Sequence, residues 1–318
     1  MKMNFIIIIF QEKDTLIKSR ISLWVVFFSI ALILAACNQT DEEDAQPGRL
    51  KVAATTSLVG DVVRIVGGEE IGLVILLPLG TDPHAYDPTP QDITKISDAE
   101  VVFANGAGLE EFLEPLLESA QAQDKVVAVS ESLNLKAFDE EQKRGDPHTW
   151  TNPNNVMIWV DTIESALSQL DPSSSKNYQA NADQYRTELA SLDSWIRELT
   201  GEVARENRNI VTDHLNFGYF ADEYGFTQVG AIIPAYSTMA EPSAQELAEL
   251  EDKIRILGVK AIFVGNTINS ELAERIAEDT GTRLIFVYTG SLSEQGGEAD
   301  SYIKYMEFNT RAFVDNLK

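Results

Sequence analysis

The sequence predicts an α/β protein of two lobes, each a mostly parallel sheet flanked by helices, joined by one long linker helix. Three observations carry that expectation. From about residue 50 onward, short apolar runs alternate with stretches of helical spacing, the order of βα units in a parallel sheet. Residues 71–77 (IGLVILL) are apolar without a break, as in a strand covered on both faces. Tyr178, Ala182, Tyr185, Leu189, Leu192, Ile196, Leu199 and Val203 recur by fours and threes, with no Pro or Gly until Gly201. A helix over 173–204 would be about 48 Å long, too long for a local crossover and suited to a strut between lobes. A coiled coil would span fewer than about five heptads and lacks an obvious partner.

In chain order, 50–56 (LKVAATT) reads as a strand, 58–66 as a helix and 71–77 as a strand that delivers the chain into a polar loop, 81–90 (TDPHAYDPTP). Pro90 opens a helix, since proline suits the first helical turn. Strand, helix and strand follow at 101–105, 109–120 and 125–129, then a second polar loop at 146–153 (DPHTWTNP) and a helix near 155–169. Beyond the long helix come strands at 209–212, 226–233, 261–264 and 283–288, with helices near 216–224, 243–257, 270–280 and 300–316. The lobes are expected at 49–172 and 206–318, with the linker helix at 173–205.

The N-terminus is of another kind. Lys13, Lys18 and Arg20 precede a 16-residue apolar run, 21–36, that ends Leu34-Ala35-Ala36-Cys37. A charged region, a short apolar region and small residues before the cut describe an export signal, and the run falls short of the ~20 residues a spanning helix needs. Leu-Ala-Ala-Cys also looks like a bacterial lipobox, which makes 1–36 a lipoprotein signal peptide and Cys37 the lipidated mature N-terminus. Residues 37–48, polar and acidic, read as a flexible tether. Cys37 is the sole cysteine, so no intrachain disulfide can form.

Lys+Arg number 25 against 50 Asp+Glu, a formal net charge of −25. Such acidity argues against nucleic acid as a partner, and is compatible with drawing cations from a distance or simply with solubility.

The chain has three histidines, His84, His148 and His214, about 65 residues apart, each where a predicted element gives way to a loop or helix start. Two follow Asp-Pro, and proline restricts its own backbone and that of the residue before it. A single histidine in a loop is most often a solvated polar residue. Three of three in like settings point to a preformed metal site of neutral imidazoles, with affinity expected to fall between about pH 7.5 and 5.5 as the ligands protonate. Tyr86 and Trp150, each two residues after a histidine, are candidate shields of that site.

Beyond these residues, GTDPHAYDPTPQDI, DPHTWTNPNN, VTDHLNFGYFADEYGF, KAIFVGNT and YTGSLSEQGG followed by DSYIKYMEFN resemble the metal-binding lipoproteins of ABC importers for zinc and manganese. In that family of solute-binding proteins one rigid helix joins two lobes. The resemblance runs from about residue 50 to 313. It implies an exported, lipid-anchored monomer that holds a divalent metal between its lobes. The metal passes to a membrane permease driven by a cytoplasmic ATPase, and the rigid helix implies release by local loop movement rather than a wide hinge.

Position by position, His84, His148 and His214 match the family's first three ligands. Histidine rather than carboxylate at the third favours Zn2+ over Mn2+, as imidazole chemistry does. Gly290 stands where the family carries an aspartate, and Gly265-Asn266 where it usually has an acidic residue. The fourth donor is therefore expected to be water, or a carboxylate such as Asp213 or Asp87. The alternative role of those aspartates is capping and support of the ligands. Alternatives for the whole chain are a manganese or iron captor of the same family, a surface adhesin, or a zinc hydrolase with an open coordination position. No HExxH-type pairing and no carboxylate placed as a general base is present, so a non-enzyme is expected.

Overall fold

Strands β1 (Leu50–Ala54), β2 (Ile71–Ile75), β3 (Val101–Ala104) and β4 (Val126–Ala128) pair side by side in the order β2-β1-β3-β4, every pairing parallel. The computed structural model describes residues 48–139 and 144–318. The signal segment, Cys37 and all but the last residue of the tether lie outside the described residues. Among the described residues no helix is long and apolar enough to cross a membrane.

Helices α1 (Ser57–Gly67), α2 (Pro90–Asp98) and α3 (Leu113–Ala120) supply the crossovers of this first sheet. Capping explains the start of α2: the Thr89 and Asp92 side chains each accept or donate across the first turn, with Pro90 at its first position. Helix α3 begins four residues later than the apolar spacing suggests. Residues 106–108 form a left-handed turn, with Ala107 at φ 56°. The buried Glu110 carboxylate then accepts the backbone N–H groups of Asn105 and Gly106 at 2.7 and 3.0 Å, together with the Thr55 hydroxyl at 2.7 Å. A side chain that collects these donors holds the chain as a turn where spacing alone reads helix. A short antiparallel pair, β5 (Ala137–Asp139) and β6 (Arg144–Gly145), stands in the polar stretch ahead of the second histidine loop, where the sequence carries no strand pattern.

Helix α4 (Pro153–Leu170) leads to the long helix α5 (Ser175–Gly201). Its 27 residues span about 40 Å, less than the expected 48 Å. The Asp171 carboxylate draws in the Ser173 N–H at 3.1 Å and shapes a turn there, so the helix starts at Ser175. The second sheet, again wholly parallel, has the order β10-β9-β7-β8, from β7 (Asn209–His214), β8 (Thr227–Ile233), β9 (Ala261–Gly265) and β10 (Arg283–Val287). Helices α6 (Gly218–Tyr224), α7 (Ala244–Leu257), α8 (Glu271–Thr280) and α9 (Tyr302–Leu317) complete that lobe.

One apolar cluster runs through both lobes. Tyr178, Ala182, Tyr185, Leu189, Leu192 and Ile196 form the buried stripe of α5, and they join residues of α1 and α9 in that cluster. The lobes are also tied directly. Asp61 of α1 accepts the Tyr302 backbone N–H at 2.8 Å, placing a carboxylate at the N-terminus of α9 where the helix dipole favours it. The Leu292 N–H donates to Ser57 Oγ at 3.0 Å, and the Gly80 N–H to Ser291 Oγ at 2.8 Å. Residues 48–318 therefore form a single compact unit in which two sheets share a frame. The loops at the C-terminal ends of the strands, where open parallel sheets bind ligands, meet along the seam.

Candidate metal centre

His84 lies on the loop between β2 and α2. Asp82 shapes that loop: its Oδ1 accepts the His84 backbone N–H at 3.0 Å, and its Oδ2 accepts the Thr238 hydroxyl, from beyond β8 in the other lobe, at 2.5 Å. His148 follows β6 on a loop locked from several sides. Asn105 Nδ2 donates to the Pro147 carbonyl at 3.0 Å, Tyr219 Oη to the Asp146 carbonyl at 2.8 Å, and the Ser130 and Thr149 hydroxyls lie 2.8 Å apart. His214 is the last residue of β7. His148 and His214 are buried and His84 is half-buried.

The three rings converge. His148 Nε2 lies 3.2 Å from His84 Nε2 and 3.1 Å from His214 Nε2, and the ligating atoms of all three fall within 4.8 Å of one another. Four nitrogens around zinc at its usual bond length would be separated by about 3.3 Å, so these spacings are close to the edges of a metal polyhedron. The opposite ring nitrogens fix the tautomers. His148 Nδ1 donates to Asp146 Oδ1 at 2.8 Å and His214 Nδ1 to Asp213 Oδ1 at 2.6 Å. When these carboxylates are ionised, as a bound dication would favour, they only accept, so Nδ1 carries the hydrogen and Nε2 presents its lone pair inward. The inward lone pairs of His148 and His214, 3.1 Å apart, repel, and a cation between them relieves the repulsion.

Electrostatics agree. Burial, reinforced by the neighbouring rings of His148 and His214, drives the His84 pKa down to about 2, and burial together with His214 holds His148 well below the usual histidine range. Neutral imidazole is the ligating form. Burial pushes the Asp146 carboxyl up to about 7, and a dication on His148 would favour its charged form. The rings of His84 and His148 therefore resist protonation between pH 7.5 and 5.5 in the metal-free protein.

Asp213 is fully engaged. Its Oδ1 accepts from the His214 backbone N–H at 2.6 Å and from Asn216 Nδ2 at 3.0 Å as well as from the ring, and its Oδ2 accepts the Gly265 N–H at 2.5 Å. A Cβ at residue 265 would lie 2.8 Å from that oxygen and 2.1 Å from Thr289 Oγ1, so glycine there is what lets β9 close on the aspartate. Asp87 is exposed, and the converging group among the described residues contains the three histidines alone.

Trp150 is buried with its ring 5.2 Å from that of His148, while its Nε1 donates to the Thr289 carbonyl at 3.2 Å. Tyr86 is placed elsewhere: its hydroxyl donates to Asp92 Oδ2 at 2.7 Å and its ring meets Phe112 edge-on. The second aromatic beside His148 is Tyr236, stacked at 6.4 Å between centroids, which the sequence analysis did not single out. An aromatic just past a strand end was the available signal. Gly290 borders the histidines, and a Cβ on it would lie 2.7 Å from Pro83 Cδ, so the His84 loop rests where a side chain would otherwise stand. A cleft of about 850 Å³ lies against His84, with Glu111, Glu114 and Tyr236 in its walls.

Comparisons with known proteins agree with this geometry. The family model described as "Zinc-uptake complex component A periplasmic" matches residues 52–316. The chain is 34% identical over 294 residues to the manganese-binding lipoprotein MntA of Halalkalibacterium halodurans, covering 92% of this chain and 97% of the relative. It is 30% identical over 307 residues to the iron ABC transporter substrate-binding lipoprotein MtsA of Streptococcus pyogenes serotype M1, covering 94% and 98%. The solved structure of the periplasmic zinc-binding protein TroA from Treponema pallidum superposes with a TM-score of 0.80 at 26% identity, covering 85% of this chain and 99% of that one. The Mn-bound periplasmic metal-binding protein of Candidatus Liberibacter asiaticus gives 0.76 at 26% identity, covering 85% and 100%. With a family match across nearly all the described residues and a shared two-sheet frame, the chain belongs to the zinc-uptake complex component A family, extracytoplasmic metal-binding proteins that serve ABC importers and are not enzymes.

Proposed function

We propose that the chain captures one divalent transition metal on His84, His148 and His214 and surrenders it to its ABC permease. The convergence of three Nε2 atoms from both lobes supports this reading most directly. Loops move at release, while the lobes (49–172 and 206–318) stay fixed on the linker helix (173–205). Cys37 carries the lipid, and Cys37→Ser is expected to release the protein from membranes in a fractionation assay.

Two observations bear on the metal, and they differ. The relatives' names favour manganese or iron, which the similarity in sequence carries toward this chain. A donor set of three imidazoles suits zinc. Purified protein, stripped with chelator and offered equal zinc, manganese and iron(II), would be analysed by elemental mass spectrometry. One metal per chain, lost in His148→Ala, is the expected result, and the metal retained decides between the two readings. No bound metal would sink the proposal. An adhesin would need none of the histidines, so unchanged growth of a His84→Ala strain under metal limitation would count for that alternative.

A further inference from the structure

Three imidazoles leave a four-coordinate metal one donor short, and each aspartate near the site is otherwise placed: Asp213 is held by ring and backbone donors, Asp82, which lines the site, accepts the His84 N–H on one oxygen and the Thr238 hydroxyl on the other, and Asp87 is exposed. Besides the three histidines, the space among them is lined by Asp82, Pro83, Trp150, Thr267 and Gly290. It is too small to hold a free water molecule. Trp150 offers only an N–H, and that is directed at the Thr289 carbonyl. Gly290 offers no side chain. Thr267 is different: it sits in the turn that follows β9, and its Oγ1 lies 3.8 Å from where a Cβ on Gly290 would be. The same hydroxyl lies 3.3 Å from Thr289 Oγ1, which can accept its hydrogen and leave the Thr267 oxygen with lone pairs to offer.

Resting on the metal reading above, we propose that the Thr267 hydroxyl supplies the oxygen that completes the metal's coordination, a neutral donor in place of a carboxylate. The dication then meets no anionic ligand directly. Its charge is balanced through the rings, by Asp146 behind His148 and Asp213 behind His214. Such a site has a harder donor than a fourth imidazole and a weaker one than carboxylate, and Thr267 becomes a determinant of which metal is retained.

The test uses the full chain in detergent, stripped and titrated with Co2+, whose visible d–d bands report coordination number and donor set. Wild type, Thr267→Val and Thr267→Ser are compared for band position and intensity, and for affinity against a chelator. Wild type is expected to take one Co2+. Thr267→Val, equal in shape but lacking the hydroxyl, should shift the bands and weaken binding at least ~10-fold, the loss that even outlying partners of a metal ligand cause. Thr267→Ser should restore the wild-type spectrum. Identical spectra and affinities for wild type and the valine variant would overturn the Thr267 assignment and leave the three-histidine reading standing. A shift in both variants, serine included, would also overturn it, since packing rather than the hydroxyl would then be at work. Failure of wild type to bind Co2+, zinc or manganese would overturn the metal reading itself, and Thr267 with it.

Discussion

Each buried histidine of the centre is half of a pair, and the carboxylate half is as telling as the ring. Asp146→Asn or Asp213→Asn would keep the shape but let the amide offer a donor where Nδ1 needs an acceptor, turning the ring's lone pair away from the metal. Metal affinity should fall 10–100-fold in either variant, read by chelator competition. Protons act on the same groups. Below pH 6.5 an unfolded chain protonates His84 and His148, while the folded chain, with both values depressed, does not, so stability of the metal-free protein falls as pH drops. Asp146, raised to about 7, works the other way between about pH 4 and 7 and offsets one histidine. Asp61 and Glu110, likewise raised by burial, add to that offset as pH falls. Chemical denaturation of metal-free wild type and His84→Asn at pH 7.5, 6.5 and 5.5 separates the ring from these carboxyls: the variant should lose less stability on acidification, and equal profiles would contradict a buried neutral His84. Metal affinity itself should change little from pH 7.5 to 6.5; a steep fall there would mean the rings are solvated before the metal arrives.

At the scale of elements, α5 and the histidine loops divide the work. The stripe on α5 is buried against both α1 and α9, so truncating it weakens both lobes at once. Leu189→Ala removes a wholly buried side chain and should cost about 2–5 kcal/mol, measured by the denaturation midpoint, with stoichiometric metal binding retained under native conditions. The loop at 81–90 behaves differently because its His84 end rests on Gly290 through Pro83. Gly290→Ala would place a methyl 2.7 Å from Pro83 Cδ and displace the His84 loop. The expected outcome is weaker metal binding with an almost unchanged denaturation midpoint, the inverse of the Leu189 variant.

For the molecule as a whole, the net charge of −25 should draw cations toward the seam between the lobes. Stopped-flow association of metal with the stripped protein should slow as ionic strength rises from about 10 to 150 mM, because the Debye length shrinks from about 30 to 8 Å. Dissociation, governed by contacts inside the site, should hardly respond. An association rate independent of salt would mean that the acidity serves solubility alone.

The sequence by itself determined the α/β class, the long helix and the three ligand candidates, because each leaves a local signature: alternating apolar runs, a stripe at fours and threes, and three histidines at the ends of elements, two of them in Asp-Pro-His on restricted backbone. What it left undecided depends on atoms far apart in the chain. Asp213 and Asp87 are equally plausible donors on paper, and only the approach of Gly265 on β9 shows that the first is taken up in orienting His214 while the second stays in solvent. Tyr86 and Trp150 share a spacing from their histidines, yet Asp92 draws one away and Thr289 holds the other in place. Tyr236 and Thr267 carry no motif at all. Their places beside the histidines exist only once two sheets are set on one helix, since a coordination sphere is fixed by distances across the fold and not by spacing along the chain.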